Sequence, residues 1–366
     1  MNRLLPYILL ALLPLRSAAQ TQESPPSAPP PVALQGVYDN QIANSQAGQW
    51  KALNSAQPGN AQLQLNWFRS EYNARSSDNN GALKGSDRIA LTTIADDIKA
   101  SAPGSFEQHL ADYYLDFPSA PAFKDLSAAY GMAPERVELL APMLSKAMVE
   151  GDANGLKRWA DALDSHGAIA VPLRSAAADV LMSVGANGIL FTNGDMDTQP
   201  AVVSQVTTGE RVDVLIVDRR LLSDAGYRTR VWNSAGAAGV VPRTGPGFAK
   251  AILSASARPL YFALSLDRSW LNAFPGELHA VGAVFRVGTA RPEDAVMLAK
   301  HWASMKKPLD AGPLSRNYLL PGAVLLAHYR AAENTDKATA IEAELERIAK
   351  ATGALKDLQK AGVLQH

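Results

Sequence analysis

Residues 188–200 read Gly188-Ile189-Leu190-Phe191-Thr192-Asn193-Gly194-Asp195-Met196-Asp197-Thr198-Gln199-Pro200. A short run, apolar on both faces, stops at Asn193-Gly194, and a polar segment then leads to a proline. Asn-Gly tolerates the positive φ of a tight turn, and Pro200 fits the early part of a helix. The stretch therefore reads as a buried strand that turns into a helix. Asp213-Val214-Leu215-Ile216-Val217 is a second such run and stops at Asp218-Arg219-Arg220. Pro259-Leu260-Tyr261-Phe262-Ala263-Leu264 is a third, and a fourth lies between His279 and Val287. Helix-forming sequence separates them. Short strands apolar on both faces, with helices between, are the pattern of a buried parallel sheet with crossover helices. The expectation is an α/β domain over 186–290: three-layer, Rossmann-like, with a small parallel sheet.

In such a sheet, ligands bind in the crevice outside the carboxyl ends of the strands. The first strand delivers Asn193, Asp195, Asp197 and Thr198 there, and the second delivers Asp218 and Arg219. Oxygen-bearing side chains this close together suit a divalent cation such as Mg²⁺ or Ca²⁺, with Asp195 and Asp197 as ligands and Asp218 completing the cluster. They equally suit hydrogen bonds to sugar hydroxyls, and an arginine beside them can hold an anionic group. A structural reading stands next to these. Asp197 or Thr198 can cap the helix, and Asp218 can pair with a neighbouring arginine to fix two loops. A glycine-rich phosphate cradle is not expected, because there is one glycine and two carboxylates would repel an unshielded phosphate. The six histidines form no H-x-x-x-H pair. No G-x-S-x-G elbow occurs, and Ser204 and Ser265 lack the strand–turn–helix setting of a nucleophile. His279, two residues after Glu277, is a remaining general-base candidate.

The 366 residues carry 35 basic and 35 acidic side chains, 47% hydrophobic residues and no cysteine. The apolar content excludes wholesale disorder. A zero net charge gives no reason to expect a nucleic-acid partner. Without cysteine there is no disulfide framework, thiolate nucleophile or cysteine-bound metal. Residues 1–19 have the form of a signal peptide: Arg3, then apolar Leu4 to Leu15, then Ser17-Ala18-Ala19. The expectation is a periplasmic or secreted protein with no membrane span after cleavage. Residues 20–59 read as a disordered Pro/Gln/Ala-rich linker, with five prolines between Thr21 and Pro31. Residues 60–185 read as helical, with Ser105 opening one helix and Pro134, Val137, Leu140, Leu144 and Met148 marking another that Gly151 stops. Residues 291–366 return to helix, and the helices before and after Glu333-Asn334-Thr335 form a tetratricopeptide-like pair.

The run Ile189 to Thr198, then Gln205, Arg211-Val212-Asp213-Val214 and Leu221-Leu222, resembles the soluble C-terminal domain of a bacterial family. Its members are multi-pass protein O-mannosyltransferase-like glycosyltransferases with the signature FTNGDNDT…Q…RPDV…LL. Met196 here replaces the usual asparagine. Arg258 to Ala263 is similar to the same domain's RPIYFA strand, and Leu278 to Arg286 to the segment after it. The resemblance covers about 187–290. It implies an accessory domain without the membrane part in which that family's catalysis is expected. The functional expectation is an exported noncatalytic binding or accessory module of the cell envelope, with a glycan or protein partner. The alternatives are a metal-assisted enzyme acting on a glycan or phosphate ester, and a soluble subunit of a membrane glycosyltransferase.

Overall fold

The computed structural model describes residues 40–77 and 83–365. The expected signal peptide, the proline-rich part of the linker and residues 78–82 lie outside the described residues. Helices α1 (Asn40–Ala56), α2 (Ala61–Ser77), α3 (Gly85–Ser101), α4 (Phe106–Asp116), α5 (Ala120–Met132), α6 (Leu140–Glu150), α7 (Ala153–Ser165) and α8 (Val171–Ser183) precede the first strand. Then come β1 (Ile189–Thr192), α9 (Asp195–Thr208), β2 (Leu215–Asp218), α10 (Ala225–Ser234), α11 (Pro246–Ala255), β3 (Leu260–Ala263), α12 (Arg268–Leu271), β4 (Leu278–Ala280) and β5 (Val284–Val287). Helices α13 (Glu293–Ser304), α14 (Leu319–Ala331), α15 (Thr335–Ala351) and α16 (Leu355–Lys360) follow.

Local signals place many of these boundaries. Ser105 caps α4 by accepting from the Gln108 N–H at 3.2 Å, and Gly151 ends α6 at φ 70°. Pro134 sits in the turn before a 3₁₀ segment, Val137–Leu139, rather than in a helix. The linker expectation needs a correction at its end, because residues 40–56 are helical. α1 buries Ala43, Ala47 and Trp50, spaced four and three apart, and packs on α2. Alanine is the best helix former but a weak hydrophobic marker, so this helix leaves little apolar period to read.

The sheet has the order β2-β1-β3-β5-β4. β1 pairs parallel with β2 and with β3, as the sequence pattern requires. The fourth run differs. It is a hairpin, β4 and β5, with β5 antiparallel to β3. Only Val281-Gly282-Ala283 joins its strands, and a parallel return needs a crossover of about a dozen residues or more. Alternate side chains of each strand enter opposite cores. Leu190, Ile216, Tyr261 and Val284 face one side, and Phe191, Val217, Phe262 and Phe285 the other. Helices α6 to α9 cover the first face and α10 to α12 the second, which makes three layers. Residues 60–185 therefore divide between two cores. Side chains from Leu65 to Leu139 form one, while Leu144, Trp159, Leu163 and Leu173 join the sheet.

At the C-terminus α14 and α15 pack as the expected pair, with Asn334 capping α15 through Lys337 N at 3.2 Å. Gly322 lets α14 approach closely, since a Cβ there would lie 2.8 Å from the Trp302 ring and 2.9 Å from Leu345. Among the described residues, no helix is long and apolar enough to cross a membrane.

Candidate functional site

β1 ends at Thr192, whose hydroxyl donates to the Val217 carbonyl at 3.1 Å. That uses its one proton, so Thr198 is the donor in the 2.7 Å contact between the two hydroxyls. Thr198 is fully buried and ties the first turn of α9 to the sheet. Asp197 turns back toward the strand end. Its oxygens accept from Asn193 N at 3.0 and 3.1 Å, from Gly194 N at 2.9 Å, and from the Ser265 hydroxyl. In a dinucleotide-binding α/β domain, N–H groups at this place meet a phosphate. Here a carboxylate of the chain fills that position. Burial pushes the Asp197 carboxyl up most, and the Asp218 charge adds to it. The Ser265 hydroxyl and the two backbone N–H groups pull it down, with a net rise.

Asp195 and Asp218 share one cation. Arg220 Nη2 lies 2.6 Å from Asp195 Oδ1 and 2.8 Å from Asp218 Oδ2, and its Nε donates to Asp218 Oδ1 at 3.1 Å. Burial alone would lower the Arg220 pKa, but the two carboxylates outweigh it and hold the guanidinium charged. Gly194 is required beneath this group: its φ is 148°, and a Cβ there would meet Arg220 Cζ at 2.9 Å. Arg219 points elsewhere. It donates to Asn193 Oδ1 at 2.5 Å and pairs with Asp267 at 2.9 Å.

A divalent cation does not fit the expected cluster. Asp195 Oδ1 and both Asp218 oxygens face the Arg220 guanidinium, and the Asp197 oxygens face N–H and O–H donors. Among the described residues, no group of three or more His, Asp or Glu side chains is placed to hold a metal ion. The ion-pair reading of Asp218 with a neighbouring arginine is what the geometry shows. Asp197 acts as a cap from the third helical position, and Thr198 does not cap at all.

Two recesses open at the strand ends. On the β2 side, Tyr72 of α2 and Tyr113, Tyr114 and Phe117 at α4 stand over Asp195, Gln199 and Arg220. The Arg220 guanidinium lies 4.9 Å from the Phe117 ring centroid, so this aromatic wall already holds a cation of the chain itself. Burial raises all three tyrosines, Tyr72 to about 12. Gln199 lines the same recess with a buried Oε1 that has no partner among the described residues.

The second recess lies between the carboxyl ends of β1 and β3, where successive crossovers leave in opposite directions. It is lined by Met196, Asp197, Ser265 and Asn317, with small side chains of α8 beneath. Such switch points are where open α/β sheets take ligands.

Of the expected site residues, Asn193, Asp195, Asp197, Thr198, Asp218 and Arg219 all lie at the strand ends, but they contact one another and nearby loops. Sequence reading missed Ser265 as the partner of Asp197, Arg220 as the shared cation, Asn317, and the tyrosine cluster. The resembling motif segments gave Arg211 and Arg258 no role. In the fold, Arg211 holds the carbonyls of Leu181 and Val184, and Arg258 those of Asn187, Gly188, Asp213 and Ser234. Both arginines bind backbone at the amino ends of the strands, away from the crevice. His279 is in the hairpin, with Nε2 on the Gly288 carbonyl at 2.9 Å.

A family described as TMEM260-associated domain 2 matches residues 173–243, from α8 through β1, α9, β2 and α10. No curated protein and no solved structure matches the chain.

Proposed function

We propose that the chain is an exported, noncatalytic binding or accessory module of the cell envelope, whose ligand crevice lies at the carboxyl ends of β1 and β3. One observation carries this reading. The Asp195, Asp197 and Asp218 carboxylates at the strand ends all accept from an arginine, a hydroxyl or a backbone N–H of the chain, which favours a structural role for them over activating water or holding a metal. The match to TMEM260-associated domain 2 over 173–243 supports an accessory role. The finer identity, a soluble domain like that of the O-mannosyltransferase-like family over about 187–290, belongs to the same proposal. So does a soluble-subunit role. Co-purification with a multi-pass transferase is its test.

The main test is thermal unfolding of the full chain in EDTA and then with Mg²⁺, Ca²⁺ or Mn²⁺. A cation at 100 times its Kd would stabilise the fold by about 2.7 kcal/mol. The expected result is no shift. A shift that Asp197→Asn removes would replace this reading with the metal-assisted enzyme acting on a glycan or phosphate ester.

A further inference from the structure

Residues 237–245, between α10 and α11, form neither helix, strand nor hydrogen-bonded turn. Ala238 to Thr244 make no hydrogen bond to other described residues, through backbone or side chain. Backbone of this kind is open to other molecules, because nothing within the fold has to be broken to engage it. Gly239 and Gly245 bound the stretch, at φ 95° and 101°. Between them Val240 is 91% exposed, while Val241 packs against the core that holds Trp232 and Phe248. Pro242 has its own φ fixed near about −65° and keeps the residue before it extended. The chain therefore presents Arg243, which is exposed, at the end of an extended segment. No hydrogen bond or ion pair holds the Arg243 guanidinium among the described residues. Other arginines of irregular segments are held. Arg136 pairs with Glu138 at 2.6 Å, Arg219 with Asp267 at 2.9 Å, and Arg258 binds backbone carbonyls.

The chemistry of the segment decides what suits it. A partner sheet would need a continuous ladder, but Pro242 has no N–H and the Val241 side chain is committed to the core. A trypsin-like serine protease needs less: a short extended stretch, an arginine for its acidic specificity pocket, and the carbonyl of that arginine within reach of its serine. Withdrawing Arg243 into such a pocket breaks no ion pair, and the backbone on either side gives up no hydrogen bond. A cut here also leaves the two pieces joined. β1 belongs to the first piece and β3 to the second, and they pair from Ile189–Leu260 to Phe191–Phe262. Phe248 of the second piece lies 6.4 Å from Phe191 and 5.9 Å from Trp232 of the first, between ring centroids. Arg258 of the second piece holds the Asn187, Gly188, Asp213 and Ser234 carbonyls of the first.

We infer that the Arg243–Thr244 bond is a site of limited cleavage by a trypsin-like serine protease, and that the nicked chain keeps its fold. Water adds across one peptide bond, leaving a carboxylate on Arg243 and an ammonium on Thr244, with nothing oxidised or reduced. Neither recess at the strand ends takes part, so the crevice reading stands or falls separately. The test is digestion of the full chain with a small amount of an arginine-specific serine protease, followed by mass and N-terminal sequence of the products. Within residues 40–365 the first cut should fall after Arg243. The two fragments should then co-elute in gel filtration with the far-ultraviolet circular dichroism of the intact chain. Arg243→Gln should abolish this cut, and Arg243→Lys should restore it for trypsin but not for the arginine-specific enzyme. The rate should stay constant in urea well below the unfolding midpoint, because cleavage of the native loop does not wait for global unfolding. A first cut at another arginine within residues 40–365, fragments that separate, or a rate that rises with urea as unfolding does overturns the inference. So does resistance of the loop with slow amide exchange over 238–244, which would show that another chain covers it.

Discussion

Asp197 does from inside the helix what an N-cap residue does from outside it, because its carboxylate accepts the N–H groups of Asn193 and Gly194. In Asp197→Asn one oxygen becomes an NH₂ that faces those donors, so the fold should lose about 1 kcal/mol in urea unfolding. The pH dependence has a defined sign. Burial raises the folded pKa of Asp197 above its unfolded value, so the native state holds the proton more tightly. Stability from this residue therefore falls as pH rises from the usual aspartate range through the raised value. Asp197→Asn should remove that part of the slope. The turn was legible in the sequence because Asn193-Gly194 encodes it locally. Ser265 was not, since it lies 68 residues away and meets Asp197 only where β1 and β3 run side by side.

The strands show how far local pattern reaches. β1, β2 and β3 were readable because a strand buried on both faces leaves a run of apolar residues that ends in turn formers. The β4–β5 hairpin was read as one strand, since Val281 and Ala283 continue the apolar run and only Gly282, at φ 148°, marks the reversal. α1 was hidden because alanines make its contact. The hairpin is tied to α13 by an ion pair. Arg286, 2% exposed, donates to Asp294 at 2.7 Å through Nε and 2.5 Å through Nη2. Burial works against the Asp294 carboxylate, but Arg286 and the Arg291 N–H outweigh it and hold its pKa low. Its stabilisation is thus present above the unfolded pKa and lost as pH falls through the folded value. Asp294→Ala should destabilise the protein by about 3–5 kcal/mol, because it strands a buried guanidinium. Combining it with Arg286→Met should recover much of that loss in the same denaturant measurement.

Across the whole molecule, Arg220 joins the N-terminal helices to the sheet. It reaches Asp195 and Asp218 on one side and the Phe117 ring on the other. Arg220→Ala leaves Asp218, 2% exposed, without its counter-ion and should cost about 3–5 kcal/mol. Hydrogen exchange should then quicken in α2 and α4 more than in β1, since those helices lose their charged anchor. Equal protection in wild type and variant would show that apolar contacts alone hold the two parts together.

The sequence by itself determined the layers: three strands of a parallel sheet, the helices between them, the turn at Asn193-Gly194, and which polar side chains arrive at the strand ends. Those features depend on backbone period and turn sterics, which act between near neighbours. Tertiary structure alone decided what the polar groups do there. The strand order sets Ser265 against Asp197 and makes a recess beside them, and packing of α2 and α4 puts tyrosines around Arg220. A carboxylate's role depends on which charge or donor desolvates with it, and that partner is chosen by the fold rather than by spacing along the chain.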